Sequence, residues 1–171
     1  FKIGKKALIV TGKNSAKLSG ALDDVKYALE KNNIEYVIFD KVMSNPTVEC
    51  VYDGAETAME EEVDFVIAIG GGSPMDVAKA VGVVVKYGGR IEEYEGAHKV
   101  PGKIVPLIAI PTTAGTGSEV TAFSVITDHR RDYKLTVFSY ELLPACAILD
   151  AELLTSAPAS VAAACGIDAF I

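Results

Sequence analysis

The chain has 171 residues, half of them hydrophobic, with 16 Lys plus Arg against 23 Asp plus Glu and a formal charge of -7. That length suits one compact domain, and so apolar a chain buries a sizeable core instead of staying disordered. The acidic balance, with no basic run or stripe, argues against nucleic acid or an anionic membrane as a partner, but not against a phosphate ligand, which backbone amides can hold.

Phe1 to Lys6 shows neither an apolar stretch nor a cleavage pattern, so no secretory leader is read there. No apolar run approaches the roughly 18 residues that span a bilayer. Cys50, Cys146 and Cys165 lack a short metal-type spacing and sit among apolar neighbours. They are expected to be buried, reduced thiols, which suits a cytoplasmic protein. His98 and His129 stand in polar connections and are expected at the surface.

In chain order, Ala7–Val10 is a short apolar run ending in Thr11-Gly12, which predicts a buried parallel strand and its turn. Leu18, Leu22, Val25 and Leu29 follow at helical spacing and predict one helical face, ended by Asn32-Asn33. Tyr36–Phe39 predicts a second strand closed by Asp40. Asn45-Pro46-Thr47 opens a helix to about Glu62 with Thr47 as its N-cap, and Asp64–Ile69 is a third strand. After Gly70-Gly71-Gly72-Ser73-Pro74 a helix is expected from Met75 to Lys86, with Pro74 at its first position. Leu107–Ile110 is a further strand, Thr121–Thr127 and Tyr133–Phe138 read as a hairpin, and Ala147–Asp150 as a last strand. A small-residue helix begins after Pro158. Apolar strands alternating with helices predict an α/β fold: a doubly wound, Rossmann-like, mostly parallel sheet with helices on both faces and an added β-hairpin.

Two turns carry the chemistry. Gly70 to Asp76 joins an apolar strand to a helix, where a doubly wound sheet binds ligands. Glycines let the backbone approach a phosphate, and the helix's first amides point at it. It is not a GxGxxG fingerprint, because Met75 holds the third position, and a plain tight turn is the competing reading. Pro111 to Glu119 follows another strand and holds Thr112, Thr113, Thr116 and Ser118 with Gly115 and Gly117. Such a loop offers amides and hydroxyls with little bulk, which suits a pyrophosphate or ribose. Asp40, taken alone, suits a solvated loop carboxylate. Coupled to the glycine turn, it reads as an acceptor for both ribose hydroxyls of an adenosine that repels a 2′-phosphate, favouring NAD over NADP.

These motifs, occurring in order across nearly the whole chain, resemble the iron-containing (group III) alcohol dehydrogenases. They comprise Gly70-Gly71-Gly72-Ser73 with Asp76 and Lys79, Pro111-Thr112-Thr113-Ala114-Gly115-Thr116-Gly117-Ser118-Glu119-Val120-Thr121, Phe39-Asp40 before Asn45-Pro46-Thr47, and Gly166-Ile167-Asp168-Ala169. The resemblance implies that Asp40 meets the adenosine ribose and that Gly71, Gly72 and Ser73 meet the pyrophosphate. It sets Asp76 toward the nicotinamide, Thr112, Thr113, Thr116 and Ser118 along the other cofactor wall, and Lys134 at a cofactor ribose. Without it, Lys134 reads as an ordinary strand lysine.

The resemblance makes Asp168 a metal ligand, joined in the family by a histidine four residues later and two more beyond, around Fe²⁺ or sometimes Zn²⁺. Here Ile171 is the last residue, one short of that histidine, so the chain reads as cut before most of its ligands. Residues 1–157 are expected to form the dinucleotide-binding domain and 158–171 to begin a helical metal-binding one. The implied activity is NAD(P)-dependent, metal-dependent hydride transfer between a small alcohol or aldehyde and a nicotinamide, in a possible homodimer. Residues 1–171 alone are expected to bind dinucleotide weakly and turn over nothing. The pattern departs from the family at Ala151, where a proline is usual, and lacks an earlier strand segment. The alternatives are a zinc enzyme like glycerol dehydrogenase or dehydroquinate synthase, a non-catalytic nucleotide-binding module, and the alcohol dehydrogenase part of a fused aldehyde–alcohol enzyme.

Overall fold

The computed structural model describes residues 3–171; Phe1 and Lys2, the first two residues of the segment read for a leader, lie outside the described residues. The elements are β1 (Lys6–Gly12), α1 (Ser15–Leu18), α2 (Ala21–Lys31), β2 (Glu35–Val42), α3 (Val48–Glu60), β3 (Phe65–Gly70), α4 (Gly72–Tyr87), β4 (Gly96–Ala97), β5 (Leu107–Pro111), β6 (Phe123–Asp128), β7 (Tyr133–Phe138), β8 (Cys146–Ala147) and α5 (Ala159–Phe170).

Five strands form a parallel sheet in the order β2-β1-β3-β5-β8. Each central strand is apolar on both faces because both faces are covered. Leu8 and Val10 of β1, with Val66 and Ala68 of β3, enter the core built with α3 and α4. Their neighbours Ala7, Ile9, Phe65, Ile67 and Ile69 enter a second core with Ala21, Leu22 and Leu29 of α2. Helices on opposite faces make the sheet doubly wound, as expected. The strand order reverses between β1 and β3, so the crevice at such a switch point opens at their carboxyl ends, where Gly12 and Gly70 stand.

The hairpin forms as read, with β6 antiparallel to β7. It belongs to a separate three-stranded sheet, β4-β7-β6, whose short β4 no apolar pattern announces. Ile126, Leu135 and Val137 pack with the α4 side of the core, so the hairpin covers that helix and walls the crevice. Thr47 caps α3 as expected, its side chain accepting from the Cys50 amide.

Several expectations need correction. Leu18 leaves the helical face it was assigned to: the helix breaks at Ser19-Gly20, Gly20 takes φ +80°, and Leu18 is 72% exposed. Asp40 lies inside β2, which runs on to Val42. α4 starts at Gly72, so Pro74 is its third residue and not its first, still in the turn where a missing N–H costs nothing. β8 spans only Cys146–Ala147. The cysteines are not buried as expected: Cys146 is exposed, and Cys50 and Cys165 are half-buried. Burial nonetheless pushes the Cys50 thiol up to about 11, which keeps it unreactive. His98 and His129 are exposed, as expected. No residue of α5 is buried, and among the described residues no helix is long and apolar enough to cross a membrane.

Candidate functional site

The glycine turn owes its shape to Gly70, whose φ of +143° is one that side-chain-bearing residues rarely adopt; a Cβ there would also lie 2.8 Å from Pro74 Cγ. The chain then passes at once into α4. Gly71 supplies no side-chain cap, so the first amides of this 16-residue helix have no partner behind them and its positive end faces the crevice. The hydroxyl-rich loop crosses in front, held where the Thr112 amide donates to the Gly70 carbonyl at 2.9 Å. The two turns form one narrow seam. A Cβ at Gly71 would stand 3.1 Å from Thr113 Oγ1, and one at Gly72 would stand 3.3 Å from Ser118 Oγ.

In front of this seam lies a cavity of about 410 Å³ that brings together Gly72, Ser73, Asp76, Thr116, Ser118 and Lys134. Its far wall comes from Phe123 and Val125 of β6, with Asn45 beside the N-terminus of α3. Gly71 lines a smaller hollow of about 200 Å³ with Gly12, Ser15, Gly72 and Ser73. Thr112 and Thr113 face a third, of about 320 Å³, with Asn14 and Ser15. The ten expected cofactor residues therefore do not share one cavity. Asp40 lines none of these three, and its carboxylate instead meets Lys17 Nζ at 3.4 Å.

Asp76 and Lys79 are one helical turn apart on α4. Burial pushes the Asp76 carboxyl up to about 6, with Lys79 and the Val125 amide pulling it back. Lys79 is fully buried, and burial lowers its ammonium to about 8 against the pull of Asp76 and Glu119. Its Nζ donates to the Thr121 carbonyl at 2.8 Å, the Phe123 carbonyl at 2.9 Å and Thr121 Oγ1 at 3.3 Å. Ser124 Oγ donates to the Asp76 carbonyl at 2.8 Å. Together these bonds clamp the hairpin onto α4 and fix the cavity's width. At the other end, Lys134 Nζ donates to Asn45 Oδ1 at 3.3 Å, and the Thr127 amide donates to the Pro46 carbonyl at 2.7 Å.

The pieces present fit a dinucleotide. The seam is lined by backbone and small hydroxyls, and Thr112 Oγ1 is a buried polar atom with no hydrogen-bond partner. A metal centre is not complete in the same way. Asp168 is exposed on α5, and among the described residues no three His, Cys, Asp or Glu side chains converge. A lone carboxylate does not fit a transition-metal ion.

The clamp by Lys79, the far wall at Phe123 and the partners Asn45 and Lys17 were not given roles by the sequence. A lysine inside an otherwise apolar helix, among Val77, Ala78, Ala80 and Val81, was the available signal for the first.

The sequence pattern of the iron-containing alcohol dehydrogenases matches residues 1–151. The chain is 41% identical to the NAD-dependent methanol dehydrogenase of Bacillus methanolicus over 165 residues, covering 96% of this chain and 43% of that protein. It is 38% identical to the NADPH-dependent butanol dehydrogenase of Clostridium saccharobutylicum over 169 residues, covering 97% of this chain and 44% of that one. The crystal structure of a 1,3-propanediol oxidoreductase superposes with a TM-score of 0.92 at 37% identity, over 96% of this chain and 43% of that one. The chain thus spans less than half the length of the curated relatives it matches. By its sequence and by the arrangement of its two loops on a doubly wound sheet, it belongs to the iron-containing alcohol dehydrogenase family.

Proposed function

We propose that residues 1–157 form the dinucleotide-binding part of a metal-dependent oxidoreductase that moves a hydride between a small alcohol or aldehyde and NAD, and that residues 158–171 begin its metal-binding part. The observation that carries this reading is the cavity of about 410 Å³, where the N-terminal turn of α4, the hydroxyl loop and Lys134 converge. The names of two relatives, an NAD-dependent methanol dehydrogenase and an NADPH-dependent butanol dehydrogenase, support the reaction class.

Bound NAD supplies the nicotinamide carbon that accepts the hydride. The chain's own groups bind and orient it. The free amides of Gly72 and Ser73 and the positive end of α4 hold the diphosphate, with Gly71 leaving room for it. Thr112, Thr113, Thr116 and Ser118 supply hydroxyls along the opposite wall, and Asp40 and Lys134 address the riboses. Asp76 faces the nicotinamide half, while Lys79 holds the strands that close that side. Asp168 would supply one ligand to Fe²⁺ or Zn²⁺, and a lone carboxylate does not by itself hold such an ion.

Titrating the native protein with NADH and following nicotinamide fluorescence tests the reading directly. Saturable binding that NAD displaces, weakened at least tenfold by Gly72→Val, is expected. A protein that reduces no NAD with any short alcohol, and binds no NADH, would sink it.

A further inference from the structure

The hairpin that walls the cavity changes character along its length. Phe123, Val125 and Thr127 of β6 alternate with the buried Ser124, Ile126 and Asp128, and Lys134, Thr136 and Phe138 of β7 alternate with the buried Leu135 and Val137. The register pairs Thr127 with Lys134, Val125 with Thr136 and Phe123 with Phe138, so these six share the face that the cavity lies against. One end of that face carries a cation. The other carries an aromatic stack, roughly 14 Å along the strand. Phe123 and Phe138 stack with ring centroids 4.6 Å apart, and His98 and Tyr140 extend the cluster at 4.8 and 5.6 Å from the Phe138 ring. Phe123 is nonetheless 46% exposed and Tyr140 64% exposed, so apolar ring surface stays open at the edge of the cavity. The Phe123 backbone is tied down, because Lys79 Nζ donates to its carbonyl at 2.9 Å.

Resting on the dinucleotide reading above, we propose that the stacked rings of Phe123 and Phe138 are the subsite for the tail of the alcohol. Phe123 is then a specificity-determining residue that favours primary alcohols with an aryl or alkyl tail over methanol and over diols. In that reading Lys134 stands at a cofactor ribose and Asp76 at the nicotinamide half. The reacting carbon therefore lies toward Asp76, and Phe123 lines the same cavity there. A tail that leaves this carbon along the sheet face meets the exposed ring of Phe123, with Phe138 behind it. Apolar surface of tail and ring leaves water together, and an aryl tail adds an offset or edge-to-face contact. A second hydroxyl at the same place gives up its water for ring carbons that accept no ordinary hydrogen bond.

The test uses the native protein with four probes: benzyl alcohol, 1-butanol, 1,3-propanediol and methanol. Saturation-transfer NMR with NADH bound, where the alcohol is not turned over, is expected to show saturation on the aryl protons of benzyl alcohol and the terminal methyl of 1-butanol. Phe123→Asn should lose most of it. Activity reads the same preference. The ratio of kcat/KM for benzyl alcohol to that for methanol should fall about tenfold in Phe123→Asn, the scale at which an apolar pocket sorts one methylene, and about threefold in Phe138→Ala. It should fall least in Phe123→Leu, which keeps apolar bulk. A ratio that Phe123→Asn and Phe138→Ala leave unmoved while NADH still binds overturns the subsite and leaves the dinucleotide reading standing. Wild type alone is decisive as well: no saturation on the tail protons, or a preference for 1,3-propanediol over 1-butanol, overturns the subsite. Should the two variants shift the protein's elution volume and not the ratio, the stack is a contact between subunits and the subsite falls. A protein that binds no NADH overturns both readings.

Discussion

The N-terminal turn of α4 and the helix α5 each carry residues proposed to hold a ligand, and they are built in opposite ways. The turn of α4 is anchored by β3, whose six residues are all buried, and by a helix in which ten of sixteen residues are buried. The groups proposed to bind a ligand there are main-chain amides, and these are in place as soon as the strand and the helix form. α5 has no buried residue, and the group proposed to act there is the exposed side chain of Asp168. A backbone site is completed by local folding, whereas a side-chain site on an exposed helix needs partners from elsewhere. One close approach of α5 to the hydroxyl loop is at Gly115, whose missing Cβ would fall 2.2 Å from the Cys165 carbonyl oxygen.

That contrast can be broken most severely at Lys79. Lys79→Met leaves the Thr121 and Phe123 carbonyls without their donor and should lower stability by about 3 kcal/mol, read as a shifted urea midpoint. An unmoved midpoint would show that apolar packing alone holds the hairpin on α4. Gly115→Ala comes next. The backbone it meets cannot yield as a flexible side chain would, so a loss of about 2 kcal/mol and a displaced α5 in a crystal structure are expected.

The pH dependence at Asp76 is of similar or smaller size. Its carboxyl sits at about 6 in the fold against an ordinary 3.8, so the folded state holds the proton more tightly than the unfolded chain. Its contribution to stability therefore falls as the pH rises from about 4 to about 6, by an amount on the order of 2 kcal/mol. Denaturation midpoints at pH 4.5 and 6.5 should differ by less in Asp76→Asn than in wild type. An equal difference in the two proteins would remove Asp76 as the source.

Smaller effects separate the two regions further. Lys134→Ala should weaken NADH about fivefold without changing stability, since its partner Asn45 is exposed with it. Asp168→Ala should leave both stability, within about 0.5 kcal/mol, and NADH affinity unchanged. A large loss of NADH binding in that variant would mean that α5 takes part in the cofactor site.

The alternation of apolar strands and helices was legible, as were the Thr47 cap, the hairpin and the two loops, because each is a local pattern of period, turn and cap. Where local pattern competed with backbone geometry it misled. The spacing of Leu18 with Leu22 suited a single helix, but Gly20 in a left-handed conformation ended one helix and began another. The short β4 carries no apolar signal and exists because Gly96 and Ala97 pair with Val137 and Phe138. The joint presence of Gly72, Ser73, Asp76, Thr116, Ser118 and Lys134 around one cavity depends on how α4, the hydroxyl loop and β7 pack, which spacing along the chain does not carry.

By itself the sequence determined the fold class, the switch-point loops and the family, because these depend on runs and turns within about ten residues of each other. Only the tertiary structure decided that Lys79 clamps the hairpin, that Thr112 keeps an unpaired hydroxyl, and that Lys17 stands against Asp40. Those pairings join residues 23 to 44 apart, or depend on burial, and burial is a property of the packed chain and of no single segment.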